Sequence, residues 1–251
     1  MSRRHEKLGV KQTIQKKWMD KTVQMMLAGL TETEIRSELD DYLASQKQSG
    51  GIGERGKKTY GMAIALLGAW FSPENELLEF RNDALYIAST MSNDDWIPLH
   101  WAILSASYPY WFNVAKQTGR LLNLQDRITQ TQIFNRMKEQ YGDRETVTRN
   151  ARYTVRSFIG WGALKDSNRK GCYEKAVPII ITDVNLTILM VESALLAIPD
   201  GKCALGVALD NPGFFPFQLP VISGDYISNH CDRIDVVRYG INDDFLKLKG
   251  M

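Results

Sequence analysis

The sequence is poor in the residues that carry most enzyme and metal chemistry. Its 251 residues include three cysteines, Cys172, Cys203 and Cys231, and three histidines, His5, His100 and His230. The cysteine number is odd and no two form a C-x-x-C pair, so neither a disulfide framework nor a structural zinc site is expected. Three reduced thiols in a reducing compartment fit better. The G-x-S-x-G, H-E-x-x-H and G-x-x-x-x-G-K-[ST] patterns are all missing. No catalytic residue, no metal ligand and no cofactor is therefore assigned. Net charge is nearly absent as well, +2 from 31 basic and 29 acidic residues, which excludes a polycation that binds through bulk charge but leaves room for a local basic patch. Long apolar runs are missing too. Residues 97–114 are interrupted by His100 and Pro109, and residues 178–198 by Asp183 and Glu192, so no membrane span is expected. The basic opening MSRRHEKLGVKQ has no apolar run after it and does not read as a secretory leader. These absences together predict a cytoplasmic protein.

What is present is 44% hydrophobic residues, enough for a sizeable core, arranged mostly at helical spacing. Ile14, Trp18, Val23, Met26 and Leu27 predict a helix over residues 12–28, ended by Gly29. Thr31 and Glu34 form a capping box ahead of Ile35, Leu39 and Leu43. A plain helical hairpin is favoured here over a small helix-turn-helix. Residues 45–58 hold four glycines and a single apolar residue, and predict a flexible connector whose basic end could touch a nucleic-acid backbone. Residues 59–71 read as a buried helix. Ser72-Pro73-Glu74 predicts the start of another that carries on to Thr90, with Leu77, Leu78, Leu85 and Ile87 inward. Further helices are expected from Asp94-Asp95-Trp96 and over residues 108–122. The aromatics Trp96, Trp101, Tyr108, Tyr110, Trp111 and Phe112 are interleaved with aliphatics, which marks a core layer more than a stacking platform. His100, inside that run, reads as a hydrogen-bonded core histidine.

The most definite functional suggestion lies in residues 129–177. Thr129 and Gln132 stand at capping-box spacing, and Ile133, Phe134 and Met137 give the following helix its apolar side. Tyr141-Gly142-Asp143 is a turn, with Gly142 available for positive φ. A second helix over residues 144–159 buries Val147, Ala151, Val155, Phe158 and Ile159 on one stripe. Its opposite side carries Thr148, Arg149, Arg152, Tyr153 and Arg156, with the arginines spaced to share a face. Arginine forks suit bidentate contact with guanine or phosphate. Gly160-Trp161-Gly162 then turns the chain into two short strands, 163–166 and 172–177, with Arg169 and Lys170 at the tip between them. From Arg144 to Lys170 there are seven basic residues against two acidic ones, so the rest of the chain is net acidic.

This stretch resembles the winged helix-turn-helix family of DNA-binding domains, in T-V-T-R-N-A-R-Y-T-V-R-S-F-I-G-W-G-A-L and the basic hairpin after it. The whole layout is also similar to small accessory proteins of bacterial anti-phage islands, such as the BrxA family of BREX systems. The residue patterns, with these resemblances, predict a mainly α fold with small β-hairpins: an N-terminal helical hairpin (1–50), an aromatic-rich helical layer (51–122), a central winged helix-turn-helix (123–182) and a C-terminal α+β module (183–251). In that last module residues 183–198 predict a strongly apolar helix, residues 214–220 an aromatic edge strand or docking strap, residues 223–230 a short helix, and residues 233–238 and 245–248 a strand pair. A second, degenerate wing and a dimerisation unit are both open for it.

The implied function is non-enzymatic binding of double-stranded DNA through Thr148, Arg149, Arg152, Tyr153, Arg156, Arg169 and Lys170, with other subunits of a defence system or a second copy of the chain as further partners. The alternative is an adaptor that holds a protein partner through the aromatic layer or the 214–217 strap. A metal-dependent nuclease is a third class. Its tempting acids, Asp40-Asp41, Asp94-Asp95 and Asp243-Asp244, each lie near an expected helix start or turn, and Asp94 and Asp95 read as cap and dipole partners of the helix that follows.

Overall fold

The computed structural model describes residues 3–46, 56–239 and 244–250. The connector predicted over residues 45–58 falls largely on 47–55 and the link ahead of the last strand on 240–243, outside the described residues.

The fold is mainly helical with small sheets, as the sequence implied. Its N-terminal part comprises α1 (Lys16–Leu27), α2 (Glu32–Ala44), α3 (Lys57–Phe71), α4 (Leu78–Thr90), α5 (Ile97–Ser107) and α6 (Pro109–Leu124). The capping box before α2 is formed, with the Thr31 amide donating to Glu34 at 2.8 Å. Two boundaries depart from expectation. Lys57 and Lys58, assigned to the connector, occupy the first turn of α3. Ser72-Pro73 does not start a helix: a 3-10 turn at Asn75–Leu77 comes first, and α4 begins at Leu78. That shift rotates Leu78 outward, 43% exposed, while Leu77 is buried at 1%.

The central part runs β1 (Arg127–Thr129), α7 (Gln130–Tyr141), α8 (Glu145–Gly160), β2 (Leu164–Asp166) and β3 (Cys172–Lys175). Strand β3 pairs antiparallel with both β1 and β2, so the hairpin is closed on one side by a strand that precedes the two helices. The Thr129–Gln132 capping box starts α7, and Gly142, at φ 85°, ends it. The C-terminal part comprises β4 (Ile179–Ile180), α9 (Val184–Leu196), β5 (Lys202–Ala204), α10 (Leu205–Leu209), β6 (Phe217–Gln218), α11 (Gly224–His230), β7 (Ile234–Arg238) and β8 (Asp244–Leu248). Strands β4 and β6 form a short parallel pair, and β8 lies between β5 and β7. The β5 strand was not foreseen. The Phe214–Phe217 segment is no strap on the surface, because Phe214 and Phe217 are both buried.

One hydrophobic core spans the chain from Val10 to Leu248. At its centre Trp101 stacks on Phe158 with ring centroids 4.7 Å apart, Trp111 meets Phe158 edge-on at 4.9 Å, and Phe215 and Phe217 close on Trp101 at 5.7 and 5.3 Å. Such aromatic pairs contribute about 0.5–1.5 kcal/mol each beyond the area they bury. The cluster fastens α5, α6, α8 and the β6 segment together. Helix α6 approaches the turn at Pro212 so closely that a Cβ on Gly119 would overlap the Pro212 carbonyl oxygen. His100 is fully buried: its Nδ1 accepts from Trp70 Nε1 at 3.1 Å, and its Nε2 lies 2.9 Å from Asp20. Burial holds its pKa below the ordinary value, so the ring is neutral and donates from Nε2 to the carboxylate. No helix among the described residues is long and apolar enough to cross a membrane.

Candidate nucleic-acid interface

Helix α8 is held on two sides. On the first, Val147, Ala151, Val155 and Phe158 are buried as their spacing predicted, while Ile159 is half-buried. The Tyr110 hydroxyl donates to the Val147 carbonyl and fixes the start of the helix against α6. On the second side Asn150, Thr154 and Ser157 are also buried, which the apolar stripe did not foretell. The N-terminal segment ties down the end of this side: the Ile14 amide donates to Ser157 Oγ at 2.9 Å, and Trp161 Nε1 donates back to the Ile14 carbonyl at 2.9 Å. Two buried flanks leave a narrow outward strip.

That strip carries Arg149, Arg152 and Arg156, all exposed, at spacings of three and four that place them along one line of the helix. Arg149 has Glu145 at 3.6 Å, an exposed pair worth a few tenths of a kcal/mol, which leaves its guanidinium available. The Arg152 guanidinium stands 5.6 Å from the centre of the Phe134 ring on α7, a cation–π contact that steadies it without neutralising it. Arg156 and Arg152 both lie close enough to Tyr173 on β3 to act on its phenol. Its pKa is nonetheless raised, by burial first and then by Asp166. The Tyr173 hydroxyl is 3.1 Å from Gln130 Oε1, tying β3 to the start of α7.

The other predicted residues fall into two groups. Thr148 is half-buried beside the strip, its hydroxyl donating to the Glu145 carbonyl at 3.0 Å. Tyr153 is half-buried on the opposite edge, packed against the core. Arg169 and Lys170 are exposed in the β2–β3 turn, which Ser167 organises by accepting from the Arg169 amide at 3.2 Å, with Gly171 at φ 74° closing it. The structure thus gathers the three arginines on one strip and adds two cations at the hairpin tip. It moves Thr148 and Tyr153 to the margins.

Sequence reasoning missed a further set. Thr146, Arg149, Asn150 and Tyr153 line a groove shared with Lys7, Lys11 and Lys58, which come from the N-terminal segment and α3. A polar stripe at 146, 149, 150 and 153 was visible at helical spacing. The lysines had no local signal, because only tertiary packing brings them there. Of the acids weighed for a nuclease, Asp94 and Asp95 sit in a 3-10 turn capped by Ser92, Asp244 accepts from the Gly224 amide and from Arg238, and Asp243 lies outside the described residues. No group of three or more His, Cys, Asp or Glu among the described residues is placed to hold a metal ion.

No family model, no curated protein and no solved structure matches the chain.

Proposed function

We propose that the chain is a non-enzymatic, double-stranded DNA-binding protein, in which residues 123–182 act as a winged helix-turn-helix, α8 enters the major groove and the β2–β3 turn touches phosphate. The observation that carries the reading is the outward strip of Arg149, Arg152 and Arg156 on a helix whose other sides are locked into the core, with Arg169 and Lys170 at the neighbouring hairpin tip. A rigid helix presenting exposed guanidiniums is what base-edge and phosphate contact require. The strand that precedes the two helices and pairs with β3 adds support from topology. A role as an accessory component of a bacterial phage-defence system belongs to the same proposal, and rests on the layout of helical segments around such a module.

The adaptor alternative invoked two surfaces, and both have buried members: Trp96, Trp101, Tyr110, Trp111 and Phe112 in the helical layer, Phe214 and Phe217 in the segment after it. The test is a gel shift with duplex DNA at two salt concentrations. The parent is expected to bind in a salt-dependent way. Replacing Arg149, Arg152 and Arg156 together by alanine should leave the thermal melt unchanged, weaken binding about a hundredfold or more, and lower the salt slope by about 2–3. Parent-like DNA binding by the triple variant would sink the assignment.

A further inference from the structure

A groove of about 820 Å³ runs between the N-terminal segment, α3 and α8. Four cations among the described residues reach it: Lys7 and Lys11 from the N-terminal segment, Lys58 from the first turn of α3, and Arg149 from α8. Among the described residues no aspartate or glutamate lines it. Lys7 has Glu74 at 3.6 Å and Arg149 has Glu145 at 3.6 Å, exposed pairs that screen little of the charge. Lys11 and Lys58 have no ion pair among the described residues. The walls between these cations are apolar, made by Leu8, Leu66 and the rings of Tyr108 and Tyr153. Gly9, at φ 61°, lets the chain lie flat on the Tyr108 ring, where an added Cβ would overlap Cδ1.

Asn150 decides what kind of anion fits. It lines this groove, is only 4% exposed, and its side-chain amide has no hydrogen-bond partner among the described residues. Both polar atoms of that amide stay open to the groove, so a ligand offering a donor and an acceptor can pair with them there. Cations at the rim, no carboxylate among the described lining residues, a flat apolar wall and one amide match the parts of a nucleotide. The phosphate meets the lysines, the base lies along the tyrosine and leucine walls, and the polar edge of the base meets Asn150. The volume suits such a ligand, since small-molecule sites span about 300–1,000 Å³.

We propose that this groove is a nucleotide-binding site, taking a nucleoside phosphate either free or as an unpaired nucleotide of a nucleic-acid strand. It shares only Arg149 with the outward strip of α8, and the inference stands apart from the duplex-binding reading.

The test uses the full chain. Titration calorimetry with the four ribonucleoside monophosphates, ATP and ribose 5-phosphate probes the free source. Fluorescence anisotropy with a labelled single-stranded oligonucleotide probes the strand source, and a blunt duplex serves as control. Three variants act on different parts of the groove. Gly61→Phe fills it, because an added Cβ at Gly61, which lines the groove, meets no heavy atom within 4 Å. Lys11→Ala with Lys58→Ala removes the phosphate contacts, and Asn150→Leu removes the amide at near-constant volume. The parent should bind at least one monophosphate, or the oligonucleotide, about tenfold tighter than ribose 5-phosphate. Gly61→Phe and the double lysine variant should each weaken that binding about tenfold or more, and Asn150→Leu should level the preference over ribose 5-phosphate. Binding of free nucleotides without the strand, or of the strand without free nucleotides, identifies the source and upholds the site in either case. Binding of ribose 5-phosphate as tight as that of every nucleotide, or nucleotide binding indifferent to both Gly61→Phe and the lysine pair, overturns it. Should Gly61→Phe fail to fold, the exposed lysine pair carries the test alone. Failure of the parent to bind blunt duplex would count against the outward strip of α8 and leave the nucleotide result readable.

Discussion

Arg233 holds two carboxylates at once. Its Nε and Nη2 donate to Glu192 at 2.6 and 2.8 Å, and Nη2 also reaches Asp83 at 2.6 Å. Glu192 is the charged interruption of the apolar helix α9 and is 1% exposed, so its charge depends on this guanidinium. The same contacts raise the Arg233 pKa, and burial beside Glu192 pushes the Cys231 thiol up to about 11, which leaves it a protonated, unreactive group at neutral pH. Removing one partner of a buried pair leaves the other charge uncompensated, at a cost of about 3–5 kcal/mol. Arg233→Ala should therefore lose that much in chemical denaturation, and adding Glu192→Leu to it should restore most of the loss. A destabilisation under about 1 kcal/mol for the single variant would show that the pair contributes little. The sequence displayed Glu192 as an oddity within an apolar run. It gave no hint of Arg233, 41 residues away, because only the folded chain brings the C-terminal sheet against α9.

Elements were legible where their signals are local. The Thr129–Gln132 box, the Gly142 stop and the Val147–Ala151–Val155–Phe158 stripe lie within a few residues of what they specify, and all are formed. The second buried flank of α8 was not legible, since its residues are polar: Ser157 is covered by the distant N-terminal segment, and Asn150 faces the groove beside it. Leu78 was misplaced for a related reason: Ser72-Pro73 resembles a helix start, but the chain spends one 3-10 turn before α4 and the phase of the helix changes. For the β2–β3 hairpin, position decides what its charges do. Arg169 and Lys170 sit in an exposed turn, off the arginine strip. Replacing both by alanine should weaken duplex binding about three- to tenfold whatever the DNA sequence, with the salt slope lowered by about 1–2. Anisotropy on two unrelated duplexes checks this, and a loss confined to one of them would assign the turn to base reading instead.

At the scale of the whole molecule, the four segments drawn on the sequence share one interior. Phe158 of the central stretch packs on Trp101 and Trp111 before it and on Phe215 after it, while Ile14 of the first segment bonds to Ser157. The outward arginines are therefore braced by residues from every part of the chain. Gly119 shows how tight the brace is. Gly119→Val keeps α6 helical but drives a branched side chain into the Pro212 carbonyl, with no room to relax. A loss of about 3 kcal/mol, seen as a melting temperature lower by about 6–12 °C, is expected, and an unchanged melt would show that the turn at Pro212 yields readily.

The contact at Gly119 also has a genetic consequence. Mutants selected for loss of activity should fall into two kinds. On the proposed duplex-binding role, alleles at the surface arginines would be defective at every growth temperature, since they alter contacts and not folding. Alleles at Gly119 would be heat-labile, with function recovered in the cold and suppressed back to health by second-site changes in the Pro212 turn.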